Sequence, residues 1–126
     1  MTAHYKMKIL TDFSAAHYLR NYEGPCSRVH GHNWKVEVEV SASRLDQIGM
    51  GLDFKLIKQA TNKLIDRLDH QNLNELTPFV KQNPTAENIA AWLYHELSGI
   101  LNTDVIRVAS VTLWETERAC VTYTEE

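Results

Sequence analysis

The sequence predicts an α+β domain in the order ββααββ, on three observations. Apolar residues alternate with period two towards both ends of the chain, they recur at spacings of three and four in the middle, and no linker-like or low-complexity tract separates these regions. Strands at both ends with two helices between them suit an antiparallel sheet carrying both helices on one face.

The first strand is predicted over Lys6–Tyr18. Met7, Ile9, Thr11, Phe13, Ala15 and His17 share one face, continuing to Leu19, and Lys8, Leu10, Asp12 and Ser14 the other. The second starts at His30, with His32, Trp34, Val36, Val38 and Val40 opposite Gly31, Asn33, Lys35, Glu37 and Glu39. The period then changes. Ile57, Ala60, Leu64 and Leu68 predict a core-facing helix over Phe54–Leu68, with Asp53 placed to cap it. Asp69 to Pro84, rich in asparagine and broken by proline, reads as irregular. Pro84-Thr85-Ala86-Glu87 then opens a second helix with Ile89, Leu93, Leu97 and Leu101 inward, its last turn weakened by Gly99. Alternation returns over Val105–Glu115, with Val105, Ala109, Val111, Leu113 and Glu115 on one face, and Ala119–Thr124 makes the last strand. Such a sheet leaves two edges to cover, which predicts association with further copies of the chain.

The 126 residues are expected to form one domain, 1–126, with no room for a separate dinucleotide-binding module. A net charge of -3 gives nucleic-acid binding no electrostatic support. No apolar run approaches the ~18 residues of a membrane span, and Met1-Thr2-Ala3-His4-Tyr5-Lys6 lacks the apolar core of a signal peptide. The cytoplasm is the expected compartment, where Cys26 and Cys120 are free thiols.

Three of the six histidines fall on inward strand positions. His30 and His32, at i and i+2, project side by side, and His17 from the neighbouring strand completes three nitrogen ligands, with zinc the expected metal and a fourth position open for catalysis. The plainer reading, satisfied core or loop histidines around a Gly turn, stands beside it. Cys26, four residues before His30, is open to three readings: a packed loop residue, a fourth ligand closing a structural zinc site with the three histidines, or a base or nucleophile of lowered pKa. Cys120 is assigned to packing. Asp69-His70, directly after the first helix, is either an acid/base pair or a solvated helix end, and a Cys/His hydrolase built on Cys26 and His70 is a weaker alternative. Glu115 carries a carboxylate at inward parity and needs a donor, either a heterocycle with adjacent N–H and NH2 groups or an internal Arg107 or Arg118. Glu87 suits the first turn of the second helix. His4 is placed in the tail and His95 on an outward helix face.

Together, Cys26-Ser27-Arg28-Val29-His30-Gly31-His32-Asn33, the upstream His17, Asp69-His70, Pro84-Thr85-Ala86-Glu87-Asn88 and Trp114-Glu115-Thr116 resemble the 6-pyruvoyl-tetrahydropterin synthase family, in the family's order and over nearly the whole chain. Cys-x3-His-x-His looks like its 6-carboxy-5,6,7,8-tetrahydropterin synthase branch, which serves queuosine biosynthesis. The presence of Cys26 argues against the subgroup with glutamate there. Trp34 departs from the Tyr or Phe of many relatives but keeps the aromatic character.

The resemblance implies a T-fold whose ββααββ units form trimeric barrels stacked in pairs into a hexamer. It implies zinc on His17, His30 and His32, Cys26 as catalytic base, and Asp69 and His70 as its proton-transfer partner from a neighbouring subunit. Glu115 would grip the pterin's N3–H and 2-amino group, with Thr85 and Glu87 in the same anchoring region. The implied activity is that of a lyase on 7,8-dihydroneopterin triphosphate, releasing acetaldehyde and triphosphate in the carboxy branch and triphosphate alone in the pyruvoyl branch. Arg28, Lys35 and Lys81 are candidates for the triphosphate. A non-catalytic protein with structural zinc is the rival of another class.

Overall fold

The computed structural model describes residues 4–126. Its main elements are β1 (Tyr5–His17), β2 (His30–Ala42), α1 (Phe54–Leu68), α2 (Ala86–Leu101), β3 (Ile106–Thr116) and β4 (Ala119–Tyr123). The four strands form one antiparallel sheet in the order β1-β2-β3-β4. The expected α+β order ββααββ is therefore observed, with two helices covering one face of the sheet. None of the described helices is long and apolar enough to cross a membrane.

β1 and β2 pair without a break from Tyr5 opposite Ala42 to His17 opposite His30. Their alternations are in phase, so Ile9, Phe13 and Ala15 lie buried beside Trp34, Val36, Val38 and Val40, and charged residues populate the other face. Asp53 accepts the Lys55 amide at 2.9 Å and starts α1, which buries Ile57, Ala60, Leu64, Ile65 and Leu68 against the sheet. Thr85 starts α2 in the same way, accepting from the Asn88 amide at 3.1 Å, and Ile89, Leu93 and Leu97 are fully buried while Leu101 is half-buried.

Two parts of the chain differ from the simple periodic reading. At the start of β3 Ile106 and Val108 are buried, whereas Ala109 and Val105, the residue before the strand, both expected inward, are half-buried. A bulge opposite Glu39/Val40 adds one residue, after which the phase reverses and Val111 and Leu113 turn inward as expected. The connector after α1 is also more ordered than its composition suggests. It forms two 3-10 turns, Leu73–Glu75 and Thr77–Phe79, which bury Leu73 and Phe79. Before them, Asp69–Asn72 runs along β1, where the His70 amide donates to the Ser14 carbonyl and the Ala16 amide to the Gln71 carbonyl at 3.0 Å. The end of the β1 edge nearest His17 is thus covered from within the chain.

Candidate active site

Strand pairing brings the three inward histidines together. His17 stands opposite His30, and His32, opposite Ala15, is the next residue on the same face. One ligand atom from each lies within 4.8 Å of the other two. The rings meet edge to face, and Trp34 floors the cluster with its ring centre 4.9 Å from that of His17 and 5.2 Å from that of His32. The indole N–H of Trp34 donates to the Ala15 carbonyl at 3.2 Å and fixes that floor.

Backbone carbonyls choose the tautomers. His17 Nδ1 is 2.7 Å from the carbonyl oxygen of Pro84, and His30 Nδ1 is 2.7 Å from that of Arg28, so each Nδ1–H donates and each Nε2 keeps its lone pair. His17 is only 2% exposed, and Nε2 of both His17 and His32 is buried without a hydrogen-bond partner. A buried acceptor left unpaired costs roughly 1–3 kcal/mol. Burial pushes the pKa of His17 down, aided by the neighbouring His30 and His32, against the raising effects of the Pro84 carbonyl and Glu115. Burial likewise lowers that of His32, opposed by Glu115. The free, buried Nε2 atoms of His17 and His32 and the carbonyls ordering the far side of the His17 and His30 rings are what a metal centre asks of its histidines, and three nitrogens suit zinc.

Cys26 lies in the β1–β2 loop, on the short 3-10 turn Pro25–Ser27, and is half-buried. Gly24 precedes that turn with φ of 143°, in the region that disfavours a side chain, and a Cβ there would meet the Tyr22 ring at 3.1 Å. Cys26 does not belong to the set of ligand atoms that the three histidines form, which leaves its thiol outside the histidine cluster and weakens the reading of a site closed by cysteine.

Asp69 and His70 do form a pair. His70 Nδ1 lies 3.0 Å from Asp69 Oδ2, and the other carboxylate oxygen accepts the Ser14 amide at 2.9 Å. The Ser14 bond, then the His70 bond, holds the Asp69 carboxyl below the usual range. The backbone of His70 is left-handed, with φ of 58°, and its side chain is exposed. Among the described residues no hydrogen bond joins this pair to Cys26. Glu115 finds neither Arg107 nor Arg118. Its carboxylate lies 3.8 Å from His32 Nε2 and, with Glu87, lines a cavity of about 190 Å3 completed by Ala86, Ala119, Cys120 and Val121. Cys120, expected to pack, is exposed beside that cavity. The Thr85 hydroxyl is engaged as the α2 cap. His95, expected to face outward, does so but binds Glu125 at 2.5 Å.

Sequence reasoning missed the residues that act through carbonyls and amides: Pro84 and Arg28 behind the histidines, and Asn74 and Asn83, whose side chains bond the backbone of Tyr18 and Arg20. The asparagine content of the connector signalled Asn74 and Asn83, since an asparagine amide can imitate a peptide group, and nothing in the sequence signalled the two carbonyls.

Comparison with known proteins agrees with this arrangement. Residues 6–126 match the family model for 6-pyruvoyl tetrahydropterin synthase. The 6-carboxy-5,6,7,8-tetrahydropterin synthase of Rickettsia typhi is 33% identical over 128 residues, covering 87% of this chain and 93% of that protein. Dihydroneopterin monophosphate aldolase of Pyrococcus furiosus is 34% identical over 103 residues, covering 82% of each. The structure of Caenorhabditis elegans 6-pyruvoyl tetrahydropterin synthase superposes with a TM-score of 0.85 at 27% identity, over 99% of this chain and 98% of that one. From the match across both sheet halves and both helices, the chain belongs to the 6-pyruvoyl tetrahydropterin synthase family and has its T-fold.

Proposed function

We propose that this single-domain protein is a zinc-dependent carbon–carbon lyase of the 6-carboxytetrahydropterin synthase type. It converts 7,8-dihydroneopterin triphosphate and water into 6-carboxy-5,6,7,8-tetrahydropterin, acetaldehyde and triphosphate, on the route to queuosine and related 7-deazapurines. The observation that carries this reading is the convergence of His17, His30 and His32 within 4.8 Å, with Cys26 in the adjoining loop but outside that set. The identity of 33% to the Rickettsia typhi enzyme supports the carboxy product.

His17, His30 and His32 would hold the ion, which when bound supplies a Lewis acid for the hydroxyls of the substrate side chain. Glu115 accepts from the N3–H and 2-amino group of the pterin, and Glu87 and Thr85 belong to the same anchoring wall. The Cys26 thiolate takes the proton from the first side-chain carbon, and returning it to the ring reduces the pterin as that carbon is oxidised, so no nicotinamide is needed. Asp69 and His70 exchange protons with this step from a neighbouring subunit of a cytoplasmic homohexamer, a dimer of trimers. The exposure of the His70 ring supports that placement.

The test is to incubate zinc-loaded protein with 7,8-dihydroneopterin triphosphate, identify the products by mass spectrometry and assay acetaldehyde in parallel. Acetaldehyde with 6-carboxytetrahydropterin is the expected result. A pyruvoyl pterin without acetaldehyde, the outcome favoured by the likeness to the Caenorhabditis elegans structure, would keep the site and change the branch. No turnover would revive the structural-zinc reading.

A further inference from the structure

We infer that Asn74 and Asn83 are positioning residues that set Cys26 against the histidine triad by extending the edge of β1 with side-chain amides. After His17 the chain leaves the sheet, and the peptide groups of Tyr18 and Arg20 meet no neighbouring strand. Asn74 takes that place for Tyr18, its Oδ1 accepting the amide at 2.9 Å and its Nδ2 donating to the carbonyl at 2.9 Å. Asn83 does the same for Arg20, at 2.8 and 3.0 Å. Ser14 and Ala16 are already paired on this edge by the backbone of Asp69–Asn72, so alternate residues from Ser14 to Arg20 are held in one run.

Leu19, between the two clamped residues, donates its amide to the Cys26 carbonyl at 2.8 Å and so ties the two limbs of the Cys26 loop together. The clamps themselves are anchored. Asn74 is 4% exposed, and its backbone N–H donates to Asn72 Oδ1 at 3.2 Å. The Asn83 carbonyl accepts from Asn88 Nδ2 at 2.8 Å. The next residue, Pro84, receives the His17 Nδ1–H. One connector therefore fixes both a ligand ring and the thiol-bearing loop. Only an amide of this length carries the acceptor and the donor that a peptide group requires; aspartate keeps the acceptor and loses the donor.

The kinetic part of the test rests on the reaction proposed above. Asn83→Asp, Asn83→Ala and Asn74→Asp are prepared as full-length, zinc-loaded protein. Four quantities are read: zinc content, kcat and KM on 7,8-dihydroneopterin triphosphate, the rate of Cys26 alkylation by iodoacetamide followed on its peptide, and hydrogen exchange at the Leu19 amide. Displacement of a reacting group by about 1 Å costs roughly 10²-fold. We expect kcat to fall by about that factor with zinc retained and KM nearly unchanged, because Glu115 and Glu87 sit on β3 and α2, outside the clamp. Alkylation of Cys26 and exchange at Leu19 should each rise by roughly tenfold. Unchanged alkylation and exchange would overturn the inference, as would a kcat that falls only in proportion to lost zinc. If the parent protein does not turn over the substrate, the proposed reaction fails, while alkylation and exchange still decide the clamp. Should Asn74→Asp not fold, the two variants of half-buried Asn83 decide alone.

Discussion

His17 and Pro84 are joined by a hydrogen bond of 2.7 Å from the ring Nδ1–H to the carbonyl oxygen, across 67 residues of sequence. This bond orients the imidazole so that its buried, unpartnered Nε2 faces the other two histidines. His17→Gln removes that nitrogen while retaining a polar side chain. Zinc content is expected to fall from about one ion per chain to less than about a tenth, as metal analysis after dialysis will measure, with the secondary structure of the variant preserved.

Cys26 separates the enzymatic reading from the structural-zinc reading. Its side chain lies outside the histidine set, so Cys26→Ala should bind zinc in full and melt within a few degrees of the parent. Its turnover should drop by roughly 10²–10⁴-fold, the usual contribution of a positioned acid/base group. Loss of metal together with unfolding would make Cys26 a fourth ligand.

Thr85 and Glu115 should fail in different ways. The Thr85 hydroxyl caps α2 through the Asn88 amide, so Thr85→Ala should cost about 1 kcal/mol in urea unfolding, and Thr85→Ser should recover most of it. Glu115→Gln should leave stability almost unchanged, because no arginine pairs with that carboxylate among the described residues. It should raise KM for the pterin by roughly 10²-fold, since an amide presents a donor to the pterin's donors.

Glu125 gives a dependence on pH that is separate from the reaction. Its carboxylate accepts from the Tyr123 hydroxyl and from His95, both at 2.5 Å. The Tyr123 bond, then the His95 bond, holds the Glu125 carboxyl below the usual glutamate range. A carboxyl whose pKa is lowered in the folded state contributes stability that is fully present above its unfolded value of about 4.3. That contribution is lost as the pH falls from there through the lowered value. The Glu125→Gln variant should therefore lose less stability than the parent as the pH falls below about 4.3, measured by urea unfolding at successive acid pH values.

Much of the fold was legible because its signals are local. The alternation of Ile9, Phe13, Trp34, Val36 and Val38 and the helical spacing of Ile57, Ala60, Leu64 and Leu68 each place a buried face without reference to the rest of the chain. The bulge at Ala109 was not legible. An extra residue in a strand is defined by its partner, and the phase of β3 can be read only once Glu39 and Val40 are paired with it. The packing expected of Cys120 failed for a simpler reason: Val121 and Tyr123 are the residues of β4 that pack against the core, and Cys120, alternating with them, takes the other face.

Residue identity and short-range period were enough for the element order, the inward parity of His17, His30 and His32, and the types of side chain available to hold a metal and move a proton. Which of those residues meet was settled by long-range pairing. The register of β1 on β2 set His17 opposite His30. The return of the connector along the β1 edge supplied the Pro84 carbonyl and the Asn74 and Asn83 amides. These are backbone and amide groups, alike at almost every position of a chain, and only their placement in space distinguishes the ones that build the site.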